Sequence, residues 1–263
     1  MLSAAYATEE ILLVLAAGGP GAGVWVLPIG LAIVALVLIV ASSYAETIRA
    51  YPSGGGSYVV ARENLGATAG LVAGAALLID YVLTVAVSAT AGVHAIASAL
   101  PLVRGHEVAL ALAAIWLIAW INLRGVKESG AIFAVPTYAF IGAVMLLVGV
   151  GLYRLLAGGW HPVADATAQL SAPAAAGLSW LLILRAFSSG CTALTGLEAV
   201  SNGVQAFRPP EAQNAIRTMN LERTVLYAMF GGITLLAFGL GARAGGEETV
   251  LSQIARTVFG SGL

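Results

Sequence analysis

The sequence predicts an all-α fold, a polytopic bundle of transmembrane helices forming one domain over residues 1–263, and three observations predict it. First, 59% of the residues are hydrophobic and only 10% are charged, with a mean hydropathy of +0.92, against about 25% charged in ordinary soluble domains. Second, the apolar residues gather into runs close to the roughly 20 residues that a bilayer-spanning helix needs. Third, one run of that length, Phe187 to Phe207, is filled with Ser, Thr, Gly, Glu, Asn and Gln where its neighbours carry Leu, Ile and Val. Each such group costs free energy in hydrocarbon unless something satisfies it, so this segment faces protein, ions or water.

About seven spans follow in order. The first, residues 4–17, is shorter than a full crossing, so it is expected either to be interrupted near Tyr6 or to lack its beginning. After the loop AGGPGAG the second span runs over 24–44, and YPSGGGSYVVARENLG reads as a loop with a short interfacial piece. The third span, 67–100, opens on Gly66, Gly70 and Gly74, a spacing that lets another helix approach closely. The fourth covers 108–123 and the fifth 131–156, with Pro136 near its start. Residues 157–176 form a Gly/Pro/Ala-rich connection, 177–207 the sixth span and 225–241 the seventh, and 247–259 reads as an amphipathic surface helix.

With the N-terminus inside, the inner connections hold seven basic residues and the outer ones four, while Arg185 falls within the sixth span. This asymmetry predicts a cytoplasmic N-terminus. A net charge of −1 without any Lys/Arg cluster excludes nucleic acid as a partner. The single Cys191 excludes an internal disulfide or a multi-cysteine metal site, and His94, His106 and His161 are scattered, so no redox or metal chemistry is expected. No basic n-region precedes the first apolar run, so no cleavable signal is expected. Without a Ser/His/Asp grouping, paired catalytic carboxylates or an HExxH pattern, the chain is not expected to be an enzyme. Gly18–Gly23 and Gly54–Gly56 lack the Lys-Ser/Thr of a phosphate loop and read as plain loops.

Two spans carry the chemistry. In IDYVLTVAVS, Asp80, Thr84 and Ser88 recur every fourth residue and share one helical face, with Tyr81 beside them. An ionisable residue in a span is a functional candidate by default, so Asp80 is expected to take up and release a proton. In the sixth span Thr192, Thr195 and Glu198 stand three apart, and Gly190 and Gly196 let the backbone leave helical geometry. Freed carbonyls and threonine hydroxyls suit an alkali cation, and the same groups suit the zwitterion of an amino acid; both solutes stay open on this evidence. Near the start, AYATEEILLVL groups Tyr6, Glu9 and Glu10, with one glutamate expected buried and the other solvated. His94 and Arg185 read as hydrogen-bonding or outward-reaching residues, and Cys191 as a small filler.

As a set, AYATEEILLVL, YPSGGGSYVVARENLG, IDYVLTVAVSATAGV, INLRGVKESG and SSGCTALTGLEAVSNGV resemble the amino acid-polyamine-organocation (APC) superfamily. Within it the chain is similar to the KimA-type potassium importers, bacterial relatives of the KUP potassium uptake family. The resemblance implies two inverted five-helix repeats around a site formed by broken helices one and six, as in leucine-transporter-like folds. It implies a secondary active transporter coupling proton movement to potassium uptake across the bacterial plasma membrane. By position in the matching motifs, Tyr6, Thr84, Ser88 and Thr195 take cation-binding roles, and Asp80, Tyr81 and Glu198 the proton-coupling cluster.

No cofactor is implied beyond a bound potassium ion. The partners are a small solute, potassium or an amino acid, protons and the lipid bilayer, with homodimerisation left open. Relatives carry further residues before AYATEE and about five further spans, so the chain is expected to be a truncated form that does not transport alone. A proton-coupled amino-acid permease is the alternative reading, and a non-transporting membrane fragment a second.

Overall fold

The computed structural model describes residues 3–19, 21–123, 126–158, 178–246 and 248–260, and no strand occurs among the described residues. Among the described residues, four helical stretches are long and apolar enough to cross a membrane: Ala22–Ala50, Ala67–Ala99, Ile132–Leu156 and Glu211–Leu240. Two shorter apolar helices, Glu107–Asn122 and Trp180–Leu194, join them. The chain is therefore an all-α, multi-pass membrane protein.

The bundle is built around its first helix. α1 (Ser3–Ala16) buries Ser3 to Thr8, then Ile11, Leu12 and Leu15. Residues from Ser3 to Thr8 are covered on every side, so this half of α1 is enclosed by other helices rather than by lipid. The interruption expected near Tyr6 does not occur: AYATEE holds regular helix, and its polar groups find partners on neighbouring elements.

α2 (Val26–Ala50) follows a short 3₁₀ turn and buries Ile29, Ile33, Val37, Ala41, Ala45 and Ile48, an i, i+4 stripe facing the bundle. α3 (Gly56–Leu65) lies against the start of α4 (Ala67–Ala99), at the glycine-spaced surface. α5 (Glu107–Asn122) and α6 (Val126–Leu156) come next, with Pro136 inside α6. The connection read at 157–176 lies outside the described residues beyond Gly158.

The sixth apolar stretch is α7 (Trp180–Gly190), a 3₁₀ turn (Cys191–Leu194) and α8 (Leu197–Asn202). A single long helix then forms from α9 (Glu211–Leu226), a π-helical turn (Tyr227–Gly231) and α10 (Gly232–Leu240). It begins well before residue 225 because Glu211–Arg223 is an amphipathic helix burying Ala215 and Met219, which a purely apolar run does not reveal. α11 (Val250–Phe259) is amphipathic, and its stripe of Val250, Ile254 and Val258 is buried against the bundle, with α1, α6 and α10 as neighbours.

The main core joins α1, α2, α6, α7, the π-helical turn, α10 and α11. Phe230, Ile11, Leu15, Ile33, Met229, Ile233, Leu236 and Leu240 are fully enclosed there. α4 and α5 stand at the edge and present most of their apolar side chains outward. One face of α4 is the exception, and it is the polar one.

Candidate solute site

The broken stretch organises the site. Helical bonding stops at Leu194; Thr195 is extended (φ −61°, ψ 133°) and Gly196 takes a left-handed conformation (φ 102°, ψ −22°) before α8 restarts at Leu197. A side chain at Gly196 would be strained in that region, so glycine permits the break. Gly190, at the end of α7, serves close approach instead: a β-carbon there would sit 2.5 Å from both Ile11 Cγ1 and Ile33 Cδ1. The segment is thus drawn against α1 and α2 at its upper end and opened five residues later.

Backbone groups freed by the break are partly satisfied locally. Thr192 Oγ1 donates to Ser189 O and Thr195 Oγ1 donates to Thr192 O, each at 2.7 Å. Because each hydroxyl proton is committed, the oxygen of Thr195 has only lone pairs left to offer, which is acceptor chemistry suited to a cation or an ammonium group. The carbonyl of Thr195 accepts a bond from Ser3 Oγ at 3.4 Å, tying the start of α1 to the break. Glu198 is buried, at 8% exposure, and both of its oxygens accept the Gly196 N–H, at 3.2 and 3.0 Å. The carboxylate therefore caps the restart of the helix. Since the chain reverses its helical geometry at Thr195–Gly196, Glu198 does not continue the face of Thr192 and Thr195 as three-residue spacing suggests.

α4 supplies the opposing wall. Asp80, Thr84 and Ser88 are half-buried while Val82, Leu83, Val85 and Val87 are exposed, so the polar row is the face that α4 turns toward the bundle. The structure brings Tyr6 and Ser88 together, Oη to Oγ at 3.2 Å. Thr84, one turn away, makes no side-chain hydrogen bond among the described residues. Asp80 is likewise without an ion pair among them and lies within electrostatic range of Glu198. Tyr81 Oη accepts a bond from Asn202 Nδ2 at 2.7 Å, which links α4 to the far end of α8. Asn202 O in turn accepts the Gly55 N–H at 3.2 Å, so the loop before α3 closes the same end.

Some contacts were not singled out by the sequence. Thr8 and Thr234 share a fully buried hydroxyl–hydroxyl bond of 2.8 Å between α1 and α10; the signal was a lone threonine in the apolar run GGITLLAFGL. A cavity of about 430 Å³ lies on the other side of Tyr6, lined by Tyr6, Glu9, Glu10, His94, Phe140 and Thr249 among others. Both glutamates are half-buried and partnered, Glu9 with the Val250 N–H at 3.3 Å and Glu10 with Ser189 Oγ at 3.5 Å. The expected division into one buried and one solvated glutamate does not describe them. Arg185 is exposed, and Cys191 packs half-buried against the core.

A sequence profile describing amino acid permeases matches residues 1–261. The chain belongs to the amino acid permease family. The placement agrees with the APC resemblance carried by its motifs. This permease is also 46% identical, over 258 residues, to the potassium transporter KimA of Bacillus subtilis (strain 168), an alignment that covers 98% of the chain. It spans 42% of that relative's length.

Proposed function

We propose that this permease is part of a secondary transporter that takes up potassium with protons across the bacterial plasma membrane. The observation that carries the reading is the break at Thr195–Gly196, where a hydroxyl oxygen with no remaining proton to donate sits beside α1, in a chain similar to a potassium transporter. Oxygen ligands of this kind replace the hydration shell of a hard monovalent cation.

In this reading Tyr6, Thr84, Ser88 and Thr195 bind the cation. Asp80, Tyr81 and Glu198 couple it to protons, because an ionisable residue within a span needs a partner or an ion and marks an ion or proton pathway. About seven spans cross the membrane, with the N-terminus in the cytoplasm, and the two halves of the broken sixth span provide the ligands at mid-depth. A homodimer is compatible with this arrangement.

A second reading, proton-coupled amino-acid transport, is favoured by the family placement alone. The two separate on growth of a potassium-uptake-deficient bacterial strain at low potassium with the full-length gene supplied. Rescue is expected; failure to rescue, with uptake of a labelled amino acid, overturns the potassium assignment.

A further inference from the structure

Among the described residues the side chains of α1 make five hydrogen bonds to other elements, and one differs from the rest. Thr8 Oγ1 and Thr234 Oγ1 of α10 stand 2.8 Å apart with both residues buried, at 0% and 2% exposure. The other four, from Ser3, Tyr6, Glu9 and Glu10, run from 3.2 to 3.5 Å and are only partly buried. Around the pair both surfaces are apolar. Ala4, Ala5, Ile11 and Leu12 flank Thr8 at three- and four-residue spacing, and Phe230 and Ala237 flank Thr234, all of them buried.

Such a setting makes one polar pair decisive. No water competes with a hydrogen bond in a dry contact, whereas small apolar side chains let helices approach closely without favouring one rotation strongly over the next. Thr234 is itself held in place: a β-carbon at Gly30 of α2 would sit 2.8 Å from its Cγ2, so α2 backs the methyl while the hydroxyl meets α1. Thr8 lies two residues from Tyr6, about 200° around the helix. The Thr8–Thr234 bond and the Tyr6–Ser88 bond are therefore on opposite sides of α1, and turning α1 away from Thr234 carries Tyr6 off Ser88.

We propose that the Thr8–Thr234 pair fixes the rotation of α1 and thereby positions Tyr6 against Ser88. Thr8 and Thr234 are positioning residues in this account: they act on the site through Tyr6, from the far side of the helix that carries it. The consequence for cation binding rests on the transporter reading above, in which Tyr6 and Ser88 are ligands. The positioning itself does not depend on which solute is carried. It also assigns a purpose to a polar pair in the driest part of the core, where two apolar side chains of similar shape would pack as well.

The test reads how well Tyr6 covers Ser88, on the full-length gene product in lipid nanodiscs. Ser88→Cys supplies the reporter thiol, Cys191→Ser removes the native one, and the rate of labelling by 2-aminoethyl methanethiosulfonate is measured; the reagent reaches residue 88 from the cavity that Tyr6 and Val87 line. Thr8→Val and Thr234→Val are each expected to label about three- to tenfold faster than this parent, the population shift that the loss of one buried interhelical hydrogen bond allows. Thr8→Ser and Thr234→Ser keep the hydroxyls and are expected to label at the parent rate. The double Val variant separates positioning from stability. It strands no hydroxyl, so its thermal unfolding midpoint is expected to recover toward the parent's while its labelling stays fast. Val variants that label at the parent rate overturn the proposal, as do Ser variants that label as fast as Val variants. A double variant whose labelling falls back to the parent rate along with its recovered stability also overturns it, because the pair would then serve packing alone. Absence of potassium uptake by the parent would sink the transporter reading and leave the labelling result standing.

Discussion

Replacing Thr195 with Val keeps the side chain's branched shape and removes its oxygen. In the structure that oxygen donates its proton to Thr192 O at 2.7 Å, so two effects are lost together. Freeing Thr192 O of its donor costs about 0.5–1.5 kcal/mol of stability, the net worth of one intramolecular hydrogen bond. Losing an oxygen from a desolvated cation site costs about 1–3 kcal/mol more, and only when the cation is present, which corresponds to about 5- to 150-fold in apparent affinity. The assay is the potassium dependence of uptake by the full-length gene product in proteoliposomes, with Thr195→Ser and Ser201→Ala in parallel. Thr195→Ser retains the hydroxyl and is expected to stay within about threefold of the parent. Ser201 is buried and its hydroxyl has no hydrogen-bond partner among the described residues, so Ser201→Ala removes an unsatisfied group and is expected to be neutral or mildly stabilising. A Thr195→Val affinity within twofold of the parent, or equal effects at Thr195 and Ser201, would refute the assignment of Thr195 as a ligand.

Other expectations follow from the same geometry. Gly196→Ala places a side chain at φ 102° and is expected to cost about 1–3 kcal/mol of stability, read as a lowered midpoint in thermal unfolding; an unchanged midpoint would show that the break is not rigidly held. Thr8→Val and Thr234→Val each strand one buried hydroxyl and are expected to cost about 1–3 kcal/mol, while the double variant costs less than their sum, which a double-mutant cycle measures. Glu198→Ala leaves the Gly196 N–H without its acceptor, whereas Glu198→Gln keeps one acceptor oxygen. Unfolding is therefore expected to be hurt by Ala more than by Gln, and proton coupling to be hurt by both. Gly190→Val drives methyl groups into Ile11 and Ile33 and is expected to destabilise by about 1–3 kcal/mol or more.

Much of this was legible in the residues because the bilayer makes polar groups conspicuous. Asp80, Thr84 and Ser88 at four-residue spacing announce one face, and α4 does turn that face inward. The polarity of Phe187–Phe207 announces a helix that cannot be regular, and the chain breaks there. What spacing could not give is the register after the break. Counting by threes carries Thr192 through Thr195 to Glu198, but an extended residue followed by a left-handed glycine redirects the chain, and Glu198 folds back as a cap. Hydropathy also missed the length of the Glu211–Leu240 helix, since amphipathic residues pack without forming an apolar run. The contact between Glu9 and Val250 joins residues 241 positions apart and leaves no mark on either local pattern.

The central claim is that the oxygen set around Thr195 serves potassium. Its most direct test is potassium flux into liposomes containing the purified full-length gene product, with an imposed inward proton gradient and amino acids as competitors. Proton-driven potassium entry that is abolished by collapsing the gradient and unaffected by amino acids is the predicted result; no potassium entry, with proton-driven accumulation of an amino acid, would contradict it.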